Sequence, residues 1–196
     1  MAYFPKALIC AFAVIGAPAL LLAQSASYNA PVPQDRSSYF SAADLQKIRD
    51  SIPSAPDGGP GQFSKRLFTA STYSNSFIRI TKPDTPHAHG MWSEVFVVQE
   101  GDAVLETNGD ITGITGHDSA THRDMFVDKA PPPDMSAAAQ ARRAAQGDKA
   151  GTAIDGGTRQ HVGPGDVILI PAGVPHRWVQ VDRPVVYFDI KFPKAN

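Results

Sequence analysis

The apolar positions of this chain fall into two regimes. From Ala7 to Ala23 they are nearly continuous, preceded by one lysine, Lys6, and followed by the small residues Ser25, Ala26 and Ser27. A short positive region, an apolar stretch and a small-residue zone form a secretory signal. Residues 1–26 are therefore expected to be removed on export to a periplasmic or extracellular space. The run sits at the lower limit of roughly 17 residues for a membrane span, and Pro18 interrupts it, so no stable membrane anchor is expected after removal. No arginine pair precedes the run, and Cys10 lies too early in it for lipid attachment.

Later apolar residues are spaced. Residues 28–40 are rich in Pro and Ser and form an arm. "SAADLQKIRDSI" follows as a short helix, with Ser41 at its N-cap and Asp44 at the third helical position. "PSAPDGGPG", Pro53 to Gly61, ends it, so 27–61 is an arm with a short helix. Period-two alternation then runs through "QFSKRLF" and "NSFIRIT", as in half-buried strands. "SEVFVVQEGDAVLETNG" predicts two strands about a turn at Glu100-Gly101-Asp102. "GDVILIPAGVPHRWVQVDRPVVYFDIKF" predicts three short strands broken by Pro and Gly. Many short strands indicate an all-β sandwich or barrel over 62–196. An insertion of about 110–157 interrupts it and carries one helix, "DMSAAAQARRAAQG". Asp134 or Ser136 caps that helix and Gly147 ends it.

Composition narrows the function classes. A chain of 196 residues suits one domain. Lys+Arg is 18 against 19 Asp+Glu, which offers nothing to nucleic acid or an anionic membrane. Loss of residues 1–26 removes Lys6 and the sole cysteine, leaving 17 basic against 19 acidic side chains and no thiol. Metal ligands must then be His, Asp and Glu. No Gly-x-Ser-x-Gly, phosphate-binding Gly loop or dinucleotide fingerprint is present.

The candidate chemistry lies in two stretches. In "PHAHGMWSEVFVVQEG", His87 and His89 point to one side of a strand, and a turn through Gly90-Met91-Trp92 can bring Glu94 to the same point. In "GDVILIPAGVPHRWVQ", a turn at Pro171 and Gly173 presents His176. His176 would complete a set of three imidazoles and one carboxylate.

Together the two stretches resemble the paired motifs of the cupin superfamily. The first matches at His87, His89, Glu94 and Gly101, with Thr81 in place of the leading glycine. The second matches at Gly165, Pro171, Gly173 and His176, with Gln180 in place of the final asparagine. The 63 residues between Gly101 and Gly165 exceed what a compact cupin needs. The resemblance covers about 62–192 and implies a double-stranded β-helix, or jelly-roll barrel, with a metal inside. It implies His87, His89, Glu94 and His176 as ligands of one divalent first-row transition metal. Fe, Mn, Ni, Co and Zn all suit this donor set with two coordination positions left over. Outside the cytoplasm the affinity order favours Cu and Zn over Fe and Mn. The resemblance also implies a homodimer through sheet edges, with residues 28–40 available to cover one.

Period-two counting places Phe96 and Val98 with Glu94, and Trp178 and Gln180 with His176, as a partly aromatic substrate pocket. Phe96 and Trp178 could equally be plain core. Arg79 could anchor a substrate carboxylate or lie solvated on the outer face. Tyr187 shares a face with Asp189 and is a candidate proton donor, and Glu94 doubles as ligand and base. His117 and His122 belong to a lid or to the surface, and His161 is structural or solvent-facing. The expected function is an exported metal-dependent enzyme for a small oxygen-rich or aromatic molecule, foremost a non-haem oxygenase. A metal-dependent lyase or isomerase and a non-catalytic ligand-binding barrel are the alternatives.

Overall fold

The structure, a computed structural model, describes residues 37–52, 61–69, 73–116, 141 and 143–194. The signal peptide, most of the arm, His117, His122 and most of the insertion helix lie outside the described residues. The predicted short helix is present as α1 (Ala42–Asp50). Its capping box is complete: the Asp44 amide donates to Ser41 Oγ at 3.1 Å, and the Ser41 amide donates to Asp44 Oδ2 at 3.2 Å.

Ten strands follow: β1 (Gln62–Thr69), β2 (Ser74–Ile80), β3 (His87–Ala88), β4 (Trp92–Thr107), β5 (Asp110–Thr112), β6 (Lys149–Ala150), β7 (Ala153–Asp155), β8 (Thr158–Val162), β9 (Val167–Ile170) and β10 (His176–Pro193). Two of them correct the reading of short strands. The expected hairpin at Glu100–Asp102 is a bend inside the single 16-residue strand β4. The last stretch forms two strands rather than three, with β10 running 18 residues. The reason is that β4 and β10 are antiparallel partners from Trp92↔Pro193 to Thr107↔His176, and they bend together. Gly101 takes φ +101 against the partner backbone, where a Cβ would lie 2.3 Å from the Pro184 carbonyl oxygen. Pro184, which has no amide hydrogen, falls where the register slips and no ladder bond is needed.

The bend divides one ribbon between two sheets. The first half of β4 and second half of β10 form the centre of a sheet ordered β1-β2-β10-β4-β9. The other halves form the centre of a sheet ordered β6-β3-β10-β4-β8. A separate ribbon pairs β5 with β7. Two antiparallel sheets joined through shared bent strands make the expected jelly roll. Between them pack Ile78, Ile80, Phe96, Val98, Ile170, Val185 and Tyr187 from one sheet, and Leu105, Val162 and Trp178 from the other.

The outer face of the first sheet is apolar as well. Phe63, Leu67, Phe77 and Val186 are buried there with Ile52, and Leu45 and Ile48 of α1 pack against them. Residues 62, 64 and 66 of β1 therefore turn inward, so the alternation seen in sequence has its polar side facing the barrel interior.

Substituting Gly101→Ala should lower stability by more than ~2 kcal/mol, because it adds an unfavourable φ to a clash with backbone. Urea denaturation is the measurement. A loss below half a kilocalorie would show that the bend does not depend on this glycine.

Candidate metal centre

β3 is only two residues long, yet it is held on both sides. His87 pairs across the ladder with His176 of β10 and with Ala150 of β6. The cross-strand pairing sets the His87 and His176 rings 4.2 Å apart between centroids, and His89 follows at 5.4 Å from His87. One nitrogen from each ring lies within 4.8 Å of the others. Glu94, at the start of β4, places Oε2 3.1 Å from His176 Nε2 and Oε1 3.7 Å from His89 Nε2. The three histidines expected as ligands thus meet at one buried point, and Glu94 reaches two of them.

The protonation pattern of the rings tests whether they suit a cation. His87 Nδ1 lies 2.9 Å from the Thr85 carbonyl, and His176 Nδ1 lies 3.1 Å from the Val174 carbonyl. A carbonyl only accepts, so each Nδ1 carries the hydrogen and each Nε2 keeps its lone pair for the centre. His176 Nε2 and Glu94 Oε2 are buried and close, yet neither has an aligned hydrogen bond. With His176 neutral they are two buried acceptors facing one another, which is costly unless a proton or a cation sits between them. The donor set fits a divalent first-row ion, for which three imidazoles and a carboxylate suit Fe, Mn, Ni, Co or Zn.

Two side chains at this centre had not been identified from sequence. Lys191 Nζ is 2.6 Å from Glu94 Oε1 and 3.1 Å from His89 Nε2. Period-two counting along β10 from Tyr187 and Asp189 arrives at Lys191, so its signal was present. Asp148, from the end of the insertion, accepts the Gly90 amide at 2.9 Å and brings Oδ1 to 3.9 Å from His89 Nδ1. It is a carboxylate behind one of the clustered histidines, as an imidazole that holds a metal would need. Nothing local in the sequence announces a contact between residues 58 positions apart.

Charges are tightly balanced here. Burial disfavours the Glu94 carboxylate, but Lys191, His89 and His176 outweigh it and hold its pKa well below the usual range. Burial disfavours the charged form of His176, while Glu94 outweighs burial and raises its pKa in the metal-free chain. Burial raises Tyr187 well above the ordinary phenol value, reinforced by Asp189 and Glu94, so it stays a hydrogen-bond donor. Asp189 is raised to about 7 by burial, with Lys191 opposing and Glu94 adding to the shift.

The centre opens into a cavity of about 170 Å3. That is below the roughly 300–1,000 Å3 of pockets for drug-sized ligands. Phe96, Trp178 and Tyr187 line it, with Phe96 and Tyr187 ring centroids 4.4 Å apart. The first two are core and cavity wall at once. Tyr187 and Asp189 lie on the same wall, as their shared face predicts. Val98 is deeper, in the core.

Two expected members of the pocket are elsewhere. Gln180 is exposed and donates to Asp182 Oδ1, because a register shift between Trp178 and Gln180 breaks the alternation. Arg79 is on the outer face of β2, where Nη1 donates to the Ile52 carbonyl at 2.5 Å at the end of α1. Its inward neighbours Ile78 and Ile80 fill the core, so Arg79 cannot anchor a ligand at this centre. His161 is largely exposed and 2.6 Å from Asp102 Oδ1.

No protein-family profile and no curated protein matches the chain. Among solved structures it is similar to KdgF from Halomonas sp., at 13% identity over 82% of this chain and 97% of that one, TM-score 0.44. It is also similar to a protein with a double-stranded β-helix domain from Klebsiella pneumoniae subsp. pneumoniae, at 10% identity over 81% and 91%, TM-score 0.45. The polyketide cyclase RemF from Streptomyces resistomycificus is similar at 18% identity over 75% and 77%, TM-score 0.39.

Two outcomes follow from the geometry. Elemental analysis of the purified protein should find one first-row metal per chain, absent from His176→Ala. Its affinity should weaken as pH falls, beginning above the usual imidazole value of 6.5, because His176 must release a proton to bind. A folded wild-type chain that takes up no added ion would remove the centre altogether. Separately, between its unfolded value of 3.8 and about 7, folded Asp189 keeps a proton that the unfolded chain has lost. Stability contributed by that proton is full below the lower value and is lost as pH rises to the upper one. Asp189→Asn should therefore gain on the wild type by on the order of 2–4 kcal/mol between about pH 4.5 and 7.5 in urea denaturation of metal-free protein. A difference that does not change with pH would mean that the carboxyl titrates normally.

Proposed function

We propose that this chain is an exported, mononuclear metal-dependent enzyme that moves a proton on a small oxygen-rich molecule, as a lyase or isomerase does. The observation that carries this reading is the shared wall of Tyr187 and Asp189 beside the histidine cluster, with Asp189 Oδ1 buried and lacking a hydrogen-bond partner. Export rests on the N-terminal apolar run.

His87, His89 and His176 would hold the ion, with Glu94 as the fourth ligand. When bound, the ion would supply Lewis acidity to a carbonyl or hydroxyl oxygen. The chain's own groups would do the rest. Lys191 takes one oxygen of Glu94, which fixes the carboxylate and leaves the other oxygen toward the histidines. Asp148 orients His89 from behind. Burial raises the Asp189 carboxyl in the metal-free chain, which makes it a stronger base than an ordinary carboxylate for accepting a proton from carbon and returning it. Tyr187, held protonated, donates to an oxygen on which charge develops. Phe96 and Trp178 exclude water from that wall.

Oxygenase chemistry would use the same open coordination positions. Asp189 and Tyr187 favour proton transfer over it, since both are groups of acid–base chemistry. A ligand-binding barrel with no turnover would leave them without a role.

The test is hydrogen exchange. Metal-loaded protein in D2O should label small hydroxy or keto acids at the carbon next to the oxygen-bearing one, as read by NMR. Asp189→Asn should slow this by roughly 10²–10⁴-fold with metal content unchanged. Oxygen consumption without exchange would replace this reading by the oxygenase one, and neither activity would leave a binding protein.

A further inference from the structure

The wall beside Tyr187 and Phe96, on the same sheet, is unusual for a barrel interior. β1 presents Gln62, Ser64 and Arg66 to the cavity, and β2 presents Ser74 and Ser76 beside them. Their neighbours on the other face, Phe63, Leu67 and Phe77, are the apolar ones and are covered by α1. A strand normally keeps its apolar side inward. Here the inward side of β1 is built from a hydroxyl, an amide and a guanidinium, with two hydroxyls of β2 beside it.

Those groups are not fully used by the fold. Arg66 Nε is buried and has no hydrogen-bond partner, and neither has Oε1 of Gln62, whose residue is only 4% exposed. Leaving a buried donor on a cation without an acceptor costs stability. A fold that carries this cost on a cavity wall has a use for it when the cavity is filled.

Charge indicates what fills it. Arg66, Arg143 and Lys191 line the cavity together with four carboxylates, those of Asp84, Glu94, Asp148 and Asp189. With a divalent ion in place, positive charge exceeds negative by one unit even when every carboxylate is ionised. Glu94 and Asp148 are already engaged by Lys191 and by the Gly90 amide. Asp84 accepts the Trp178 amide, and Asp189, in line with Arg66 across Ser76, leaves Arg66 Nε without a hydrogen bond. That N–H is open to an incoming group, and a guanidinium matches a carboxylate with two parallel hydrogen bonds.

We infer that the ligand is a small hydroxy or keto acid, with its carboxylate on Arg66, its hydroxyls toward Ser64 and Ser76, and another oxygen toward the histidine cluster. This rests on the metal reading for the second anchor alone. The carboxylate contact stands on β1 and β2, and the apolar outer face of β1 shows that Arg66 is not needed to hold the strand in place.

The experiment uses the mature chain loaded with Co(II), titrated with glycolate, malate and gluconate. Their neutral counterparts are ethylene glycol, 1,2,4-butanetriol and sorbitol, and binding is followed by calorimetry and cobalt absorption. At least one acid should bind tenfold or more tightly than its neutral counterpart. Arg66→Gln should abolish that preference while keeping cobalt content and leaving Tm unchanged or raised, since it removes a buried unpaired donor. A structural arginine would instead lower Tm. The inference is overturned if no acid outbinds its polyol, or if the variant keeps the preference. Cobalt stoichiometry, measured first, reports the metal reading by itself. If cobalt does not bind, the same titrations on metal-free protein still decide whether Arg66 selects acids.

Discussion

The pairing of β4 with β10 along their whole lengths is the constraint on which the molecule depends. Both strands bend at one level, with Gly101 against the backbone at Pro184. That shared bend lets one ribbon supply the middle of two sheets, so the barrel needs no separate connection between its layers. The ribbon also brings Glu94, His176, Trp178, Tyr187, Asp189 and Lys191 to the cavity. A slip of one residue in its register would turn each of these to the opposite face. Fold and site are therefore specified by one set of hydrogen bonds.

The second organising feature is electrostatic. A carboxylate as buried as Glu94 is expensive unless several partners share it. Lys191 takes one oxygen, which His89 also approaches, and His176 approaches the other. The histidines are themselves fixed from behind, two by backbone carbonyls and one by Asp148. This is pre-organisation by successive shells of fixed groups rather than by the four central residues alone.

How much of this was legible in the sequence depends on the distance over which each signal acts. The His-x-His spacing, Glu94 and His176 were readable because each lies in a local motif. α1 was readable because a capping box is local too. The bend at Gly101 looked like a hairpin because Glu-Gly-Asp suits both, and only pairing with a distant strand distinguishes them. The alternation of β1 was plain, but not which side faced inward: both faces are covered, one by α1 and the other by the barrel. Arg79 and Arg66 illustrate this. Arg79 sits between two isoleucines and Arg66 between Lys65 and Leu67, and only the position of α1 places the first outside and the second in the cavity. Asp148 was out of reach, since a carboxylate returning from an insertion leaves no local trace. Gln180 was misplaced by a bulge, which counting by twos cannot anticipate.

The two faces of β1 divide their duties. Phe63 and Leu67 hold the strand to α1 and to the first sheet, whereas residues 62, 64 and 66 meet the cavity. Residues on the inner face can therefore change with little cost to the fold, because the anchoring area lies on the other side. The three clustered histidines and Glu94 have no such freedom, being tied to the central ribbon and to β3. Such a molecule can vary one wall of its cavity while the histidine cluster stays fixed. Among its descendants, variation should accumulate at alternate positions of one strand, a sequence trace with a period of two.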